Sequence, residues 1–161
     1  MTQKFTHLQD DLTPQMVSVG DKQVTQREAT AISEILLPTD LIVTLEDTGA
    51  NHKGSILHTC VIAGIQAVKK TSEIIPLCHP LPVTGVDIQY NIDTESNKLS
   101  FQVTVKTDGK TGVEMEALHG ASVCALTFYD MVKSTYKSLK ISNVSLLEKK
   151  GGKSGHFKAE V

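Results

Sequence analysis

The chain has 161 residues, a formal net charge of −2, no tryptophan and only four Phe and three Tyr. This length is most simply one domain, residues 1–161, whose polar residues 1–12 we expect to be poorly ordered. Charge and composition argue against a nucleic-acid-binding or membrane-binding protein. Three widely spaced cysteines without a C-x-x-C pair, and no apolar leader segment, favour a reduced, cytoplasmic protein.

The first third of the chain predicts two strands and a short helix. Met16–Val19 is typical of a short strand. In Arg27–Leu37 the apolar pattern fits a strand and fits a short helix nearly as well; we favour a strand, which Pro38 ends. Thr39–Glu46 is then predicted to be a short helix with Thr39 as its cap, ended by Asp47-Thr-Gly49.

The middle of the chain predicts an amphipathic helix followed by a hairpin. In Gly54–Lys70 apolar residues recur every three or four positions, and Gly64 would permit close approach of another element. Pro76–Pro80 cannot be helical. Thr84–Ile92 and Leu99–Val105 both alternate with period two, which predicts antiparallel strands.

The last part of the chain predicts a long helix and a returning strand. Asp93–Asn97 is expected to join the hairpin strands, and Asp108-Gly109 to form a turn before a helix over about Val113 to Lys137. Lys140–Leu147 is predicted to be a strand. Two long helices and at least three antiparallel strands indicate an α+β fold with helices packed on one face of a sheet.

Carboxylates at both ends of the long helix are candidates for chemistry. Thr111 and Glu114 match a helix capping box, a structural explanation about as good as a functional one, and Glu116 suits a helix N-terminus. Asp130 lies late in the helix beside large apolar residues, which favours a raised pKa and an acid–base role over a mere surface pair with Lys133. Residues 116 and 130 share a side, about 40° apart, but lie roughly 21 Å apart along the axis.

Other candidates are weaker taken one at a time. His79 is most simply a loop histidine bonded to backbone, and a metal site with Cys78 has little support because no further ligand falls at zinc spacing. Gly109-Lys-Thr111 and Gly152-Lys-Ser154 are not Walker motifs, since each lacks the earlier glycine. Each lysine in these loops is most simply solvated, but together they would suit a polyphosphate: Lys53, Lys149, Lys150, Lys153 and Lys158.

Four segments together resemble the MoaC family, the cyclic pyranopterin monophosphate synthases of molybdenum cofactor biosynthesis. They are IPLCHP (Ile75–Pro80), KTGVEMEAL (Lys110–Leu118), LTFYDM (Leu126–Met131) and KKGGKSG (Lys149–Gly155). The resemblance runs from about Arg27 to the end of the chain. Each block is weak alone, and the combination is specific, although Lys150 stands where a small residue is expected.

The resemblance implies a ferredoxin-like fold, a homo-hexamer built as a trimer of dimers, and a lyase reaction. The substrate would be 3',8-cyclo-7,8-dihydro-GTP, rearranged to cyclic pyranopterin monophosphate with release of diphosphate. Asp130, Lys53 and Lys133 would be catalytic. The implied substrate-binding residues are Leu77, Cys78, His79, Glu114, Met115 and Glu116, with Arg27, Lys149 and Lys153 as triphosphate contacts.

The resemblance also implies what the reaction does without. It involves proton transfers and no net redox change, so we expect no resident cofactor or metal, with Mg²⁺ at most accompanying the triphosphate. The roughly 21 Å gap between Glu116 and Asp130 predicts an active site shared between subunits. Two competing hypotheses are a non-catalytic nucleotide-binding module and a metal-dependent hydrolase that uses His79.

Overall fold

The computed structural model describes residues 6–9, 11–47, 49–153 and 155–160, without the side chains of residues 46–55. Its sheet has five antiparallel strands in the order β2-β3-β1-β4-β5. The strands are β1 (Thr25–Leu36), β2 (Val83–Asp93), β3 (Lys98–Gly109), β4 (Lys140–Lys150) and β5 (Phe157–Lys158). The helices are α1 (Thr39–Asp47), α2 (Gly49–Lys69), α3 (Thr71–Ile74) and α4 (Glu114–Val132). The predicted α+β class is confirmed, and the βαββαβ succession is the ferredoxin-like one.

The central strand β1 shows why these sequences form a sheet. Ala29, Ala31, Ser33 and Ile35 are buried, while the residues between them face the other side. Ala31 pairs with Val103 of β3 and with Leu146 of β4, so alternate residues of three strands line one core. The period-two reading of this segment is therefore correct.

Helices α2 and α4 cover one face of the sheet and pack closely against each other. A Cβ added at Gly64 of α2 would lie 2.4 Å from the Cys124 Sγ of α4, and one at Gly120 would lie 2.8 Å from Val68 Cγ2. The predicted close approach at Gly64 is confirmed. Across the described part of the chain, no helix is long and apolar enough to cross a membrane.

Several predicted boundaries are wrong at the ends of elements. Asp108 and Gly109 are not a turn, because their backbone continues β3 and pairs with Gln26 and Thr25. Helix α4 ends at Val132 rather than near Lys137, since the amides of Thr135 and Tyr136 both bond the Val132 carbonyl and tighten the chain into a turn towards β4.

Two further predictions fail near the first helices. Residues 16–19 are not a strand and carry no regular secondary structure. Helix α2 begins at Gly49 rather than Gly54, and the four-residue helix α3 after it was not predicted. At the start of α3, the hydroxyl of the fully buried Thr71 lies within hydrogen-bond distance of the Ala67 and Val68 carbonyls and of His119 Nδ1 in α4, and periodicity does not register such contacts.

Candidate active site

A cavity of about 260 Å³ opens between the loop that follows α3 and the start of α4. Two short segments that were predicted from the sequence meet across it: Leu77–His79 and Glu114–Glu116. The remaining walls come from Leu81, from Thr111 and Gly112, and from the N-terminal residues Thr6, His7, Val17, Val19 and Lys22. The fold thus brings together six of the predicted substrate-binding residues.

The α3 loop presents Cys78 and His79 to this cavity. Prolines at 76 and 80 prevent a helix, and the Cys78 amide bonds the Ile75 carbonyl at 3.1 Å, so the next residues extend across the opening of the cavity. The pKa of the Cys78 thiol is raised, first by burial and then by the negative charge of Glu116. A raised pKa leaves less of the thiol as the reactive thiolate, so Cys78 is a weak candidate for a nucleophile.

His79 makes the backbone hydrogen bond that its simplest explanation predicted. Its Nε2 donates to the Val17 carbonyl at 2.8 Å. Because a carbonyl only accepts, the Nε2 carries the proton of this hydrogen bond. His79 thus lines the cavity and also holds the N-terminal segment against it.

The two carboxylates at the start of α4 occupy different environments. Glu116 is only 4% exposed, and its pKa is raised, mainly by burial and further by the nearby charge of Glu114. Glu114 instead forms an ion pair with Lys149 of β4 at 2.9 Å. A pair of carboxyl groups that differ in this way suits one as a proton donor or acceptor and the other as a fixed charge.

The capping-box explanation of Glu114 is wrong. The residue before the helix is Val113 rather than Thr111, and no side chain caps the helix there. The Glu114 carboxylate turns back over Gly112, where an added Cβ would lie 2.0 Å from its Oε2. Lys149 attracts the carboxylate away from the helix amides, so Glu114 belongs to the site and not to the helix end.

An open groove of about 850 Å³ is lined by three cationic residues, Lys22, Arg27 and Lys153, and by one acidic residue, Asp21. Arg27 donates from Nε to the Gly109 carbonyl at 3.0 Å and from an Nη to the Lys110 carbonyl at 3.3 Å. The glycine-rich tail wraps around this guanidinium: Gly152 has a φ of +73°, and a Cβ there would lie 2.2 Å from Arg27 Nη1. Arg27 and Lys153 are therefore together as predicted, whereas Lys149 is directed to Glu114.

Asp130 and Lys133 lie at the far end of α4. Their side chains are 69% and 56% exposed and form a surface i,i+3 ion pair. The predicted apolar surroundings of Asp130 are wrong, because the side chain points to solvent. The pKa of Lys133 is raised by its hydrogen bond to Asp130. Neither residue lines the cavity at Glu116, which is roughly 21 Å away at a rise of about 1.5 Å per residue.

The remaining predicted site residue and the remaining ligand types add little. The side chain of Lys53 lies outside the described residues, and its backbone is part of α2. Among the described side chains, no three His, Cys, Asp or Glu lie close enough together to hold a metal ion.

Sequence reasoning missed the contribution of the N-terminal segment. Val17, Val19 and Lys22 line the cavity although their segment has no regular structure. Gly20-Asp21, with the Lys22 amide bonded to the Val19 carbonyl at 3.1 Å, is a turn signal that could have placed Lys22 away from a strand.

A comparison with protein families agrees with this arrangement. The sequence model of the MoaC family matches residues 16–152, which include both walls of the cavity, Arg27 and α4. The match covers most of the chain and begins at the N-terminal segment that lines the cavity. The chain therefore belongs to the MoaC family, an enzyme family of molybdenum cofactor biosynthesis.

Proposed function

We propose that the protein is a cyclic pyranopterin monophosphate synthase. It converts 3',8-cyclo-7,8-dihydro-GTP to cyclic pyranopterin monophosphate and diphosphate, a lyase reaction driven by acid–base steps. The observation that carries the proposal is the cavity in which Cys78, His79 and Glu116 converge beside a groove that contains Arg27 and Lys153.

The described residues supply the chemistry that this reaction requires. Opening and rebuilding the ring system calls for several proton transfers, and a buried carboxyl group with a raised pKa, Glu116, suits such transfers. His79 offers its ring nitrogen Nδ1, while its other ring nitrogen, Nε2, is engaged by the Val17 carbonyl. Cations in the groove offset the charge of the departing diphosphate. Mg²⁺, where it takes part, arrives as the companion of the triphosphate.

Asp130 is the proposed catalytic acid or base, with Lys133 and Lys53 as cations beside it. This part of the proposal rests on the family resemblance. The Asp130–Lys133 pair lies exposed on the surface of one chain, and in this proposal a second copy builds the pocket at this end of α4.

The exposed face of α4 supports a site shared between copies. Met115 and Leu126 are 38% and 56% exposed, and with Asp130 they fall on one side of the helix, since 11 and 15 residues are close to whole numbers of turns. Ile62 of α2 adds a side chain that is 60% exposed. Two such helices packed antiparallel would bury apolar surface and bring the Asp130 of one copy towards the Glu116 of the other, within the proposed hexamer.

The first test is product formation by an Asp130→Asn variant. Since the side chain is exposed, we expect an unchanged thermal midpoint and loss of both pyranopterin formation and diphosphate release. Asp87→Asn, at an exposed carboxylate on β2, is the matched control and should keep full activity. Turnover by the Asp130 variant at a near wild-type rate would show that the catalytic assignment is wrong.

The second test addresses the shared site. Asp130→Asn and Glu116→Gln chains, each inactive alone, are unfolded, mixed and refolded so that mixed oligomers form. Part of the activity should return, because some sites then combine one intact end from each chain. If oligomers shown to be mixed regain no activity, both residues act within a site that is built by a single chain.

The alternatives give different results in the same assay. A nucleotide-binding module would bind the substrate and release no diphosphate. A metal-dependent hydrolase would lose activity with EDTA even when the substrate is supplied free of metal. Pyranopterin formation that survives EDTA treatment separates the proposed synthase from both.

A further inference from the structure

The segment Val17–Lys22 forms a wall of the cavity without belonging to a strand or helix. It is attached at two backbone carbonyls: Val17 accepts from His79 Nε2 at 2.8 Å, and Gly20 accepts from Lys110 Nζ at 2.6 Å. The turn closed by the Lys22 amide then places that residue at the edge of the cavity. Side-chain contacts, rather than secondary structure, determine where Lys22 lies.

Lys22 occupies the junction between the cavity and the cationic groove. Of the residues that the structure describes, Lys22 is the one that lines both spaces. The cavity itself presents two carboxylates, Glu114 and Glu116, while the groove continues outwards with Arg27 and Lys153. A ligand with its ring system in the cavity and an anionic chain in the groove passes Lys22 at the point where its charge begins.

Within the described chain, the ammonium groups of the two lysines that line the groove, Lys22 and Lys153, form no ion pair with a carboxylate. Lys98, Lys106, Lys149 and Lys150 each form an ion pair with a glutamate at 2.9–3.4 Å. A paired lysine must give up its partner to bind an anion, whereas an unpaired one is ready to do so.

We propose that Lys22 binds the phosphate chain of the substrate where the chain leaves the cavity, and that Lys110 is the positioning residue that holds the Lys22 turn in place. The inference rests on the proposed function, since it takes the ligand to be a nucleotide-derived triphosphate. It adds a substrate contact from the N-terminal segment. It also gives a role to Lys110, which lines neither the cavity nor the groove.

The experiment compares Lys22→Ala and Lys22→Arg with a control, Lys69→Ala, an exposed lysine at the end of α2. Binding of inorganic tripolyphosphate is measured by calorimetry, and KM and kcat are measured for the cyclic dihydro-GTP. One charged hydrogen bond corresponds to about a 10- to 100-fold change. We expect Lys22→Ala to weaken tripolyphosphate binding and raise KM by such a factor, with kcat within about twofold, and the Arg variant to retain most of the affinity.

Lys110→Met tests the positioning role. It should raise KM in the same way, Lys110→Arg should restore it, and the double variant Lys22→Ala/Lys110→Met should be no worse than Lys22→Ala alone. A general loss of structure would instead lower kcat and add to the first effect. Additive losses, or an unchanged KM in Lys110→Met, would overturn this role.

The outcomes separate the inference from the proposed function. If wild-type protein forms no pyranopterin, the proposed function fails. If the wild type turns over and Lys22→Ala keeps wild-type KM and tripolyphosphate affinity, the Lys22 contact is refuted and the proposed function stands. Loss of affinity in Lys69→Ala of the same size would mean that general charge, rather than this contact, is responsible.

Discussion

The contact between Gly64 and Cys124 sets the distance between the two helices that carry the cavity walls. Helix α2 leads through α3 to Leu77–His79, and α4 begins with Glu114–Glu116. A Cβ at Gly64 would meet Cys124 Sγ at 2.4 Å, Ile88 Cδ1 at 2.8 Å and the Gly120 carbonyl oxygen at 3.3 Å. Gly64→Ala must therefore push the helices apart or displace these groups.

Two effects of opposite sign determine the stability of Gly64→Ala. Alanine is about 1 kcal/mol better than glycine inside a helix. Overpacking costs about 1–3 kcal/mol, and the upper end applies because the thiol of Cys124 is held by its hydrogen bond to the Cys60 carbonyl at 3.3 Å. The net loss is about 2 kcal/mol, or roughly 4–8 °C in Tm for a chain of this length.

Urea and thermal unfolding at one fixed protein concentration measure this change, since the stability of an oligomer depends on concentration. Gly85→Ala is the control, because its nearest neighbour would be Lys106 Cβ at an ordinary 3.8 Å, and it should cause no loss. The sign of the Tm change decides between overpacking and helix propensity. If the helices do not touch at Gly64, propensity alone operates and Tm rises by roughly 2–4 °C, which would refute the packing argument.

A double-mutant cycle attributes the loss to the sulfur atom. In a Cys124→Ala background the closest obstacle is absent, and what remains is the flexible end of Ile88 and the Gly120 carbonyl oxygen at 3.3 Å. Gly64→Ala should then be nearly neutral, which corresponds to a coupling of about 1–2 kcal/mol. Activity should follow the same pattern, because the spacing of the cavity walls is restored together with stability.

Three further predictions concern charge and thiol reactivity. Burial raises the pKa of Glu116, so the folded state binds its proton more tightly than the unfolded state does. The free energy of unfolding therefore falls as pH rises above the ordinary pKa of 4.5 and through the folded pKa. Glu116→Gln should raise Tm more at pH 8 than at pH 5, and an equal change at both pH values would contradict this. Lys149→Ala removes a half-buried pair with Glu114 and should lower stability by about 1 kcal/mol, measured in urea, with Lys149→Arg as control. Burial raises the pKa of Cys60 and Cys124 to about 12, so at pH 8 a thiol reagent should label the partly exposed Cys78 before the other two cysteines in folded protein, and all three at similar rates after unfolding.

The sheet was predictable from sequence because its strands alternate around a single buried face. Ala31 and Val103, for example, are buried partners at the same position of the core, and each lies at the expected parity of its strand. The ends of elements were less predictable. Asp108-Gly109 has turn composition, but pairing with β1 across the sheet extends the strand through it, an interaction that local propensity does not contain.

The candidate site was predictable where short motifs contain the chemistry and unpredictable where tertiary contacts supply it. Leu77–His79 and Met115–Glu116 meet as the resemblance implied. Sequence left the capping alternative open for Glu114 because the partner that excludes it, Lys149, is 35 residues away in sequence. Lys22 was missed because its place depends on the hydrogen bond between Gly20 and Lys110, 90 residues apart.

One helix places three carboxylates in three different electrostatic environments. Glu114 is paired with a lysine, Glu116 is buried with a raised pKa, and Asp130 is exposed beside Lys133. Water surrounds an exposed carboxylate and stabilises its charge. If Asp130 is the catalytic group, another surface must therefore cover it, and the exposed apolar side of α4 that runs from Met115 to Leu126 is where a second copy would provide that cover. The exposure of Asp130 in one chain is thus the physical argument behind the proposal that the active site is shared between copies.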